Sequence, residues 1–365
     1  MDQRIVKLAQ VLVDYSVKVQ PGEWVIVEGH TTAEPVLKEV YRRVLQQGGH
    51  PTLMPYFDWA NEARFRLAND RQLEFIEPFE PLVVEQAKCF IHVGAESNTR
   101  RLSQIDPSRQ QMQARARHSI VETFMRRAAV GDLRWVATIF PTEAYAQDAD
   151  MSLDDYEDFV YGAGLLDDPD PVARWREFGA MQQQKVEWLK GHQRVHIRGA
   201  NADLQLSIAD RIFINACGDC NFPDGEIFTG PVEDSAEGWV RFTYPLIVQG
   251  REVEGVEFFF ERGKIVKATA KKHEAALAAL LDTDAGACFL GELGIGTSPN
   301  ITRFTRSMLF DEKIKGTFHL AVGRSYPETG GKNESAIHID LICDLHDGEI
   351  VVDDEVFYRN GDFAV

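Results

Sequence analysis

The stretch Ala336-Ile-His338-Ile-Asp340-Leu341 sets an imidazole and a carboxylate two residues apart in an apolar run. Side chains at i and i+2 of a strand share a face. His338 and Asp340 then project together while Ile337, Ile339 and Leu341 enter a core. A neutral imidazole and a carboxylate at that separation can share one divalent ion. By itself the pair reads as a surface strand with two polar residues. Upstream, His319 lies in the apolar run Gly316-Thr-Phe-His-Leu-Ala-Val-Gly323. Alone it reads as a hydrogen-bonded core histidine. Joined to His338 and Asp340, it completes a set of two histidines and one carboxylate, enough to bind a catalytic divalent ion.

Two acidic segments add to this set. Asn221-Phe-Pro-Asp-Gly-Glu226-Ile-Phe-Thr-Gly-Pro231 and Gly291-Glu292-Leu-Gly-Ile-Gly296 each set one glutamate beside glycines. There a carboxylate can approach an ion without steric obstruction, although either glutamate taken singly reads as a turn carboxylate. Between the two histidine strands runs Arg324-Ser-Tyr326-Pro-Glu-Thr-Gly-Gly-Lys-Asn-Glu334-Ser335, whose glycines permit tight turns beside a site. Five residues with ligand chemistry thus call for a scaffold that gathers them.

The chain of 365 residues is long enough for two domains. Over residues 1–189 apolar runs alternate with amphipathic stretches, the pattern of a parallel sheet flanked by helices. Strands are expected at Glu23 to Glu28, Pro51 to Tyr56, Lys88 to Val93 and Trp135 to Ile139. Helices are expected over 4–18, 33–47, 101–128 and 169–190. This is an α/β domain of flavodoxin-like character. From residue 190 to 365 the texture becomes short alternating strands with turn signals, an α+β domain with a mostly antiparallel sheet. Strands are expected at Val195 to Arg198, Asp203 to Ile208, Trp239 to Thr243, Val256 to Glu261, Ile265 to Lys267, Phe318 to Val322, Ala336 to Cys343 and Glu349 to Val352. Arg262-Gly263 makes a hairpin turn, and Glu274 to Leu281 a helix.

A formal net charge of -18 disfavours a nucleic-acid partner. The locally basic stretch Arg100 to Arg127 has helical spacing and reads as a solvated face. No apolar stretch is long enough for a membrane span, and the first residues lack a signal-peptide pattern. Five cysteines fit a reducing compartment, the cytoplasm. Cys217 and Cys220 form a CxxC with no second ligand pair, so ordinary free thiols are expected. No strand is followed by a phosphate-binding glycine loop.

The strings NFPDGEIFTGPVEDSAEG, LDTDAGACFLGELGIG, NITRFTRSMLFDEK, FHLAVGRSYPETGGKNESAIHIDLICDL and YRNGDF, in that order, closely resemble the C-terminal domain of the aminopeptidase T and aminopeptidase S family of metallopeptidases. FDWANEARFRLA and WVATIFPTEAYAQDADMS extend the resemblance through the first half. The resemblance implies metal ligation by Glu226, Glu292, His319, His338 and Asp340, with Glu292 as the bridging carboxylate. It implies that Tyr326 stands at the metal edge as a ligand or catalytic hydroxyl. It also implies an N-terminal α/β domain, a C-terminal catalytic domain, and a homodimer enclosing the active sites. The loop between Tyr326 and His338 is only eleven residues, shorter than in some members.

The chemistry so implied is hydrolysis of the first residue from peptides with a free N-terminus. Two divalent ions per chain (zinc, cobalt, manganese or magnesium) would lower the pKa of water and polarise the scissile carbonyl. Glu334, Glu233 or Asp234 are candidates for the substrate amine, and Tyr326 for the oxyanion. A rival reading uses His319, His338 and Asp340 as the triad of a mononuclear non-haem iron ring-cleaving dioxygenase. Glu226, Glu292 and Tyr326 discriminate against it, since one iron needs no further carboxylates. A third reading is a non-catalytic metal-binding protein. Structural zinc sites are usually closed and Cys-rich, and this donor set is oxygen-rich.

Overall fold

The structure is a computed structural model describing residues 2–248 and 251–365. Its contacts divide the chain into two compact units, Met1–Trp175 with Gly218–Pro223, and Arg176–Cys217 with Asp224–Val365.

In the first unit Val25, Ile26, Val27, Cys89, Ile91 and Val93 are fully buried. Apolar residues on both faces of neighbouring strands are what a helix-covered parallel sheet requires. The five strands stand in the order His50–Tyr56, Trp24–His30, Cys89–Gly94, Arg134–Ile139, Asn221–Phe222, all parallel. The first four follow the flavodoxin-like order. The fifth comes from sequence well beyond the rest of this unit. The expected helix over 33–47 is Glu34–Gln46, and that over 4–18 is Gln3–Gln10 continued as a π-helical turn, Val11–Ser16.

The stretch 101–128 is not one helix. It contains turns and then two helices, Pro107–Ala116 and His118–Ala129. The Asp106 carboxylate accepts the Ser108 N–H at 2.9 Å and Pro107 occupies the first turn, which together start a helix there. Arg117, at φ -82 and ψ 1, breaks the ladder between the two.

The second unit is a sandwich. An eight-stranded antiparallel sheet runs in the order Lys264–Thr269, Glu257–Glu261, Glu237–Arg241, Ala202–Ser207, Arg194–Gly199, Glu349–Val352, Glu355–Arg359, Asp362–Phe363. The Arg262-Gly263 turn has both φ angles positive, 47 and 77, as a two-residue hairpin requires. The facing sheet has five strands: β1 (Ile214–Ala216), β2 (Glu226–Thr229), β3 (Leu290–Gly296), β4 (Thr317–Gly323) and β5 (His338–Asp344). They form an antiparallel meander, β5-β4-β3-β2-β1. Val195, Ile197, Leu204, Val240, Phe258 and Ile350 of the larger sheet share one core with Ile227, Leu293, Ile295, Phe318, Leu320, Val322 and Leu341 of the smaller. Each such side chain contributes about 1.5–3 kcal/mol by leaving water. Strands β1, β2 and β3 are not among those expected from the sequence, and Glu226 and Glu292 lie within strands rather than in turns.

The five cysteines are free thiols. Among the described residues no helix is long and apolar enough to cross a membrane.

Candidate metal centre

Alternation along β2 to β5 sends the apolar residues into the sandwich core and leaves the other face of the sheet for chemistry. On β4 that second face carries His319, Ala321 and Gly323. Across from them stand Gly294 (paired with His319), Glu292 (with Ala321), Asp340 (with Ala321) and His338 (with Gly323). Gly296 pairs with Glu226 and Gly294 with Phe228, which brings β2 onto the same face. Every functional side chain sits beside a glycine or alanine. A Cβ on Gly294 would lie 2.0 Å from His319 Nε2, so the imidazole occupies the space a side chain there would need.

Strict alternation would put Glu292 on the wrong face. Leu290 pairs with Val322 and enters the core, so the residue two further on would follow it. A β-bulge at Gly291 shifts the register by one, and Glu292 pairs with Ala321 instead. The bulged residue lies tight against its neighbour: a Cβ on Gly291 would stand 2.3 Å from the Arg324 carbonyl oxygen. That same carbonyl accepts the Nδ1–H of His338 at 2.7 Å. A carbonyl only accepts, so the proton is on Nδ1 and the Nε2 lone pair faces the cluster, as a metal ligand requires. One turn of backbone thus aims both Glu292 and His338.

The five ligand candidates converge. His319 Nε2 is 3.1 Å from Glu226 Oε2 and 3.1 Å from Glu292 Oε1. His338 Nε2 is 3.7 Å from both Glu292 Oε2 and Asp340 Oδ2. Two overlapping donor sets, Glu226–Glu312–His319 and Glu292–His319–Asp340, each bring their ligand atoms within 4.8 Å of one another. Glu312 is absent from the candidates that the sequence offers. It follows the short helix Met308–Asp311, whose last carboxylate is tied down by the Thr305 N–H and Oγ1 at 2.7 and 2.8 Å. The signal for it is the Asp311-Glu312-Lys313 run, charged yet standing just ahead of the wholly buried strand Thr317–Gly323.

Two further residues brace the cluster. Lys313, with none of its surface exposed, lies 3.6 Å from Glu226 Oε1 and 3.9 Å from Asp224 Oδ1, and pairs with Glu312 Oε1. Gln182, on the helix Pro171–Leu189, donates from Nε2 to the Ala216 and Glu226 carbonyls at 3.0 and 3.2 Å. It accepts from Thr297 Oγ1. Gln182 therefore holds the backbone of β1 and β2 at the point where Glu226 leaves it.

Burial drives the Glu292 and Asp340 carboxyls up to about 7, with neighbouring carboxylates adding to the effect. Burial also acts on Glu226, but the Lys313 ammonium and His319 outweigh it and hold that carboxyl down at about 2. On His319 burial opposes the charged form, yet Glu226 and Glu292 raise its pKa well above the ordinary value. The two carboxylates thus favour positive charge at Nε2, where a divalent ion would sit. His319 has at most one proton at Nε2, and its hydrogen bond goes to Glu292. Among the described residues, Glu226 Oε2 and Asp340 Oδ1 are buried without a hydrogen-bond partner. Buried oxygens left so in a native protein call for an ion or water. Three imidazole or carboxylate atoms per set, oxygen-rich and partly open, suit a hard or borderline divalent cation.

Tyr326 lies at the rim, 42% exposed, its ring 4.9 Å from that of His338 and 5.7 Å from that of Phe228. Burial of its hydroxyl and the Glu292 and Asp340 carboxylates push the phenol well above its usual range, so it is a proton donor at neutral pH. Glu233 is already engaged by the Lys332 N–H at 2.6 Å and Arg211 at 2.8 Å, which gives it a loop-holding role. Glu334 is exposed.

Comparison with known proteins agrees with this donor chemistry. The model of the thermophilic metalloprotease family M29 matches residues 1–363. Aminopeptidase 2 of Geobacillus stearothermophilus is 25% identical, over 100% of this chain and 98% of its own. Aminopeptidase AmpS of Bacillus subtilis is 26% identical over 99% and 98%. Aminopeptidase T of Thermus thermophilus is 30% identical over 55% of each chain. Among solved structures, wild-type AmpT from Thermus thermophilus superposes with a TM-score of 0.86 at 23% identity, covering 100% of this chain and 99% of its own. A 2,5-dihydroxypyridine dioxygenase from Pseudomonas putida shares the fold more distantly, at a TM-score of 0.58 and 15% identity. With a two-histidine, multi-carboxylate cluster gathered on one sheet face and a family match along nearly its whole length, the chain belongs to the M29 family of metalloproteases.

Proposed function

We propose that this chain is a metal-dependent aminopeptidase that removes the first residue from peptides with a free N-terminus, using two divalent ions held by Glu226, Glu292, His319, His338 and Asp340. The observation that carries the reading is His319 Nε2 standing 3.1 Å from a carboxylate oxygen on each side. Asp224, Glu226, Glu292, Glu312 and Asp340 with Lys313 bring a net charge of -4 when all are ionised, the charge two divalent ions neutralise. When bound, such ions activate water near neutral pH and polarise the scissile carbonyl. Glu292, whose Oε1 and Oε2 face His319 and His338, would be the carboxylate shared by the ions and is placed to take a proton from water. His338, fixed by the Arg324 carbonyl, holds its lone pair toward the site. Tyr326 reaches over the rim to donate a hydrogen bond to the oxyanion.

The dioxygenase alternative loses ground on the same distances. A mononuclear iron triad of His319, His338 and Asp340 leaves Glu226, Glu292 and Glu312 crowded against it with no task. Zinc, cobalt, manganese and magnesium all suit the donor set. The free thiols support a reducing compartment, the cytoplasm. A homodimer is expected, which light scattering on the purified chain will check.

Chelation is expected to abolish release of N-terminal residues from amino-acid amides and short peptides, and one of the four metals to restore it. N-blocked peptides are expected to be inert. Equal cleavage of blocked and free peptides rules out the exopeptidase reading. One iron per chain with oxygen consumption replaces it by the dioxygenase. Tyr326→Phe is expected to lower kcat on the order of 10²-fold with metal content unchanged. Full turnover in that variant removes the hydroxyl from the mechanism.

A further inference from the structure

Lys313 is a buried cation beside a site that binds cations. Its backbone is pinned from two sides: its N–H donates to the Phe310 carbonyl at 3.0 Å and its carbonyl accepts the Ser298 N–H at 3.0 Å. Its side chain has nowhere to swing, being wholly enclosed. With Glu312, Glu226 and Asp224 within 4 Å, the ammonium is a fixed charge rather than a mobile arm.

The contacts are one-sided. Lys313 touches Glu226 and Glu312, both members of the donor set Glu226–Glu312–His319. Among the described residues its ion pairs are with Asp224, Glu226 and Glu312, and none involves Glu292 or Asp340. Glu226 spans the difference: Oε1 faces the ammonium at 3.6 Å while Oε2 faces His319 Nε2 at 3.1 Å. A divalent ion on that set sits one carboxylate away from a positive charge, and like charges at such range inside a protein repel strongly. An ion held by Glu292, Asp340 and His338, whose Nε2 lies 3.7 Å from both carboxylates, meets groups that make no ion pair with that ammonium.

We propose that Lys313 is a built-in counter-charge that weakens divalent-cation binding to the Glu226–Glu312–His319 set relative to binding by Glu292 and Asp340 with His338, making one ion tightly held and the other exchangeable. The inference rests on the two-ion reading above. It gives the centre an order of loading, with the ion on the Lys313 side last in and first out. A lysine acting only to hold the fold would leave that order alone.

The test is a titration of the metal-free full chain with Co²⁺, followed by visible absorption and by calorimetry. The wild type is expected to show two events of unequal affinity. Lys313→Met is expected to tighten the weaker event by about tenfold or more, because a repelling charge is gone. It should leave the stronger one within about threefold and lower the unfolding temperature of the metal-free protein. Lys313→Arg, which keeps the charge, is expected to keep the gap. Should Lys313→Met not fold, the comparison moves to the Glu312→Gln background, where the lysine loses its nearest partner. There Lys313→Met is again expected to tighten the weaker event. Unchanged or weakened second-ion binding in a folded variant overturns the inference while leaving the two-ion reading in place. A wild type that binds a single ion overturns both.

Discussion

Glu292→Gln is expected to lower peptide hydrolysis by on the order of 10²–10⁴-fold, the loss that follows removal of a positioned proton acceptor. The substitution is nearly isosteric. It removes one charge from a carboxyl that burial and its neighbours Asp340 and Glu226 already push up to about 7. Relief of that like-charge crowding means the metal-free variant is expected to unfold at the same temperature as the wild type or higher. Loss of activity without loss of stability marks a site residue, and the two are read by kcat at saturating metal and by thermal unfolding after chelation. A variant that keeps wild-type kcat takes Glu292 out of the chemistry. One that loses both activity and stability makes Glu292 a structural carboxylate.

Gly294→Ala is expected to cost nearly as much by geometry alone. The added methyl would stand 2.0 Å from His319 Nε2 and 2.2 Å from Cε1. His319 has no exposed surface, and its ring is hemmed by Glu226 and Glu292, so it cannot turn aside freely. Overpacking of this kind costs about 1–3 kcal/mol, and a shift of about 1 Å in a reacting group costs roughly 10²-fold in rate. The expected outcome is therefore a lower unfolding temperature, reduced bound metal and a kcat down by about two orders of magnitude. The control is Gly162→Ala in the helix Leu153–Ala163, where a Cβ meets nothing within 4 Å. There alanine should stabilise by about 0.5–1 kcal/mol. Equal effects at the two positions would show that the space opposite His319 is not specifically required.

Both predictions depend on a sheet face that is only half legible in the sequence. Strands β4 and β5 announce themselves by apolar alternation, and the i, i+2 spacing of His338 and Asp340 is enough to place both on one face. Strand β3 does not. In Leu290-Gly-Glu-Leu-Gly-Ile-Gly296 all seven residues are buried, so neither alternation nor polarity marks it. Its glycines read as turn residues because their real role, making room for His319 and for the Ile314 and Arg324 carbonyls, belongs to neighbours far away in the chain. The single helix expected over 101–128 errs the other way. Periodicity runs through Arg117, and the break there is a local backbone event that hydrophobic spacing does not encode.

The order of residue types along the chain already carries the kind of chemistry. Two histidines and several carboxylates set within apolar strands are together a donor set suited to a divalent cation. The order of motifs along the chain suffices to match the M29 family, with no contact between strands taken into account. Which of those groups meet, and how they are aimed, follows only from the folded sheet. The Gly291 bulge turns Glu292 onto the working face, the Arg324 carbonyl orients His338, and Glu312 and Lys313 join the cluster from a short helix end. None of these follows from spacing along the chain. Each depends on register between strands and on space left by a distant glycine, quantities that exist only once the sheet has formed.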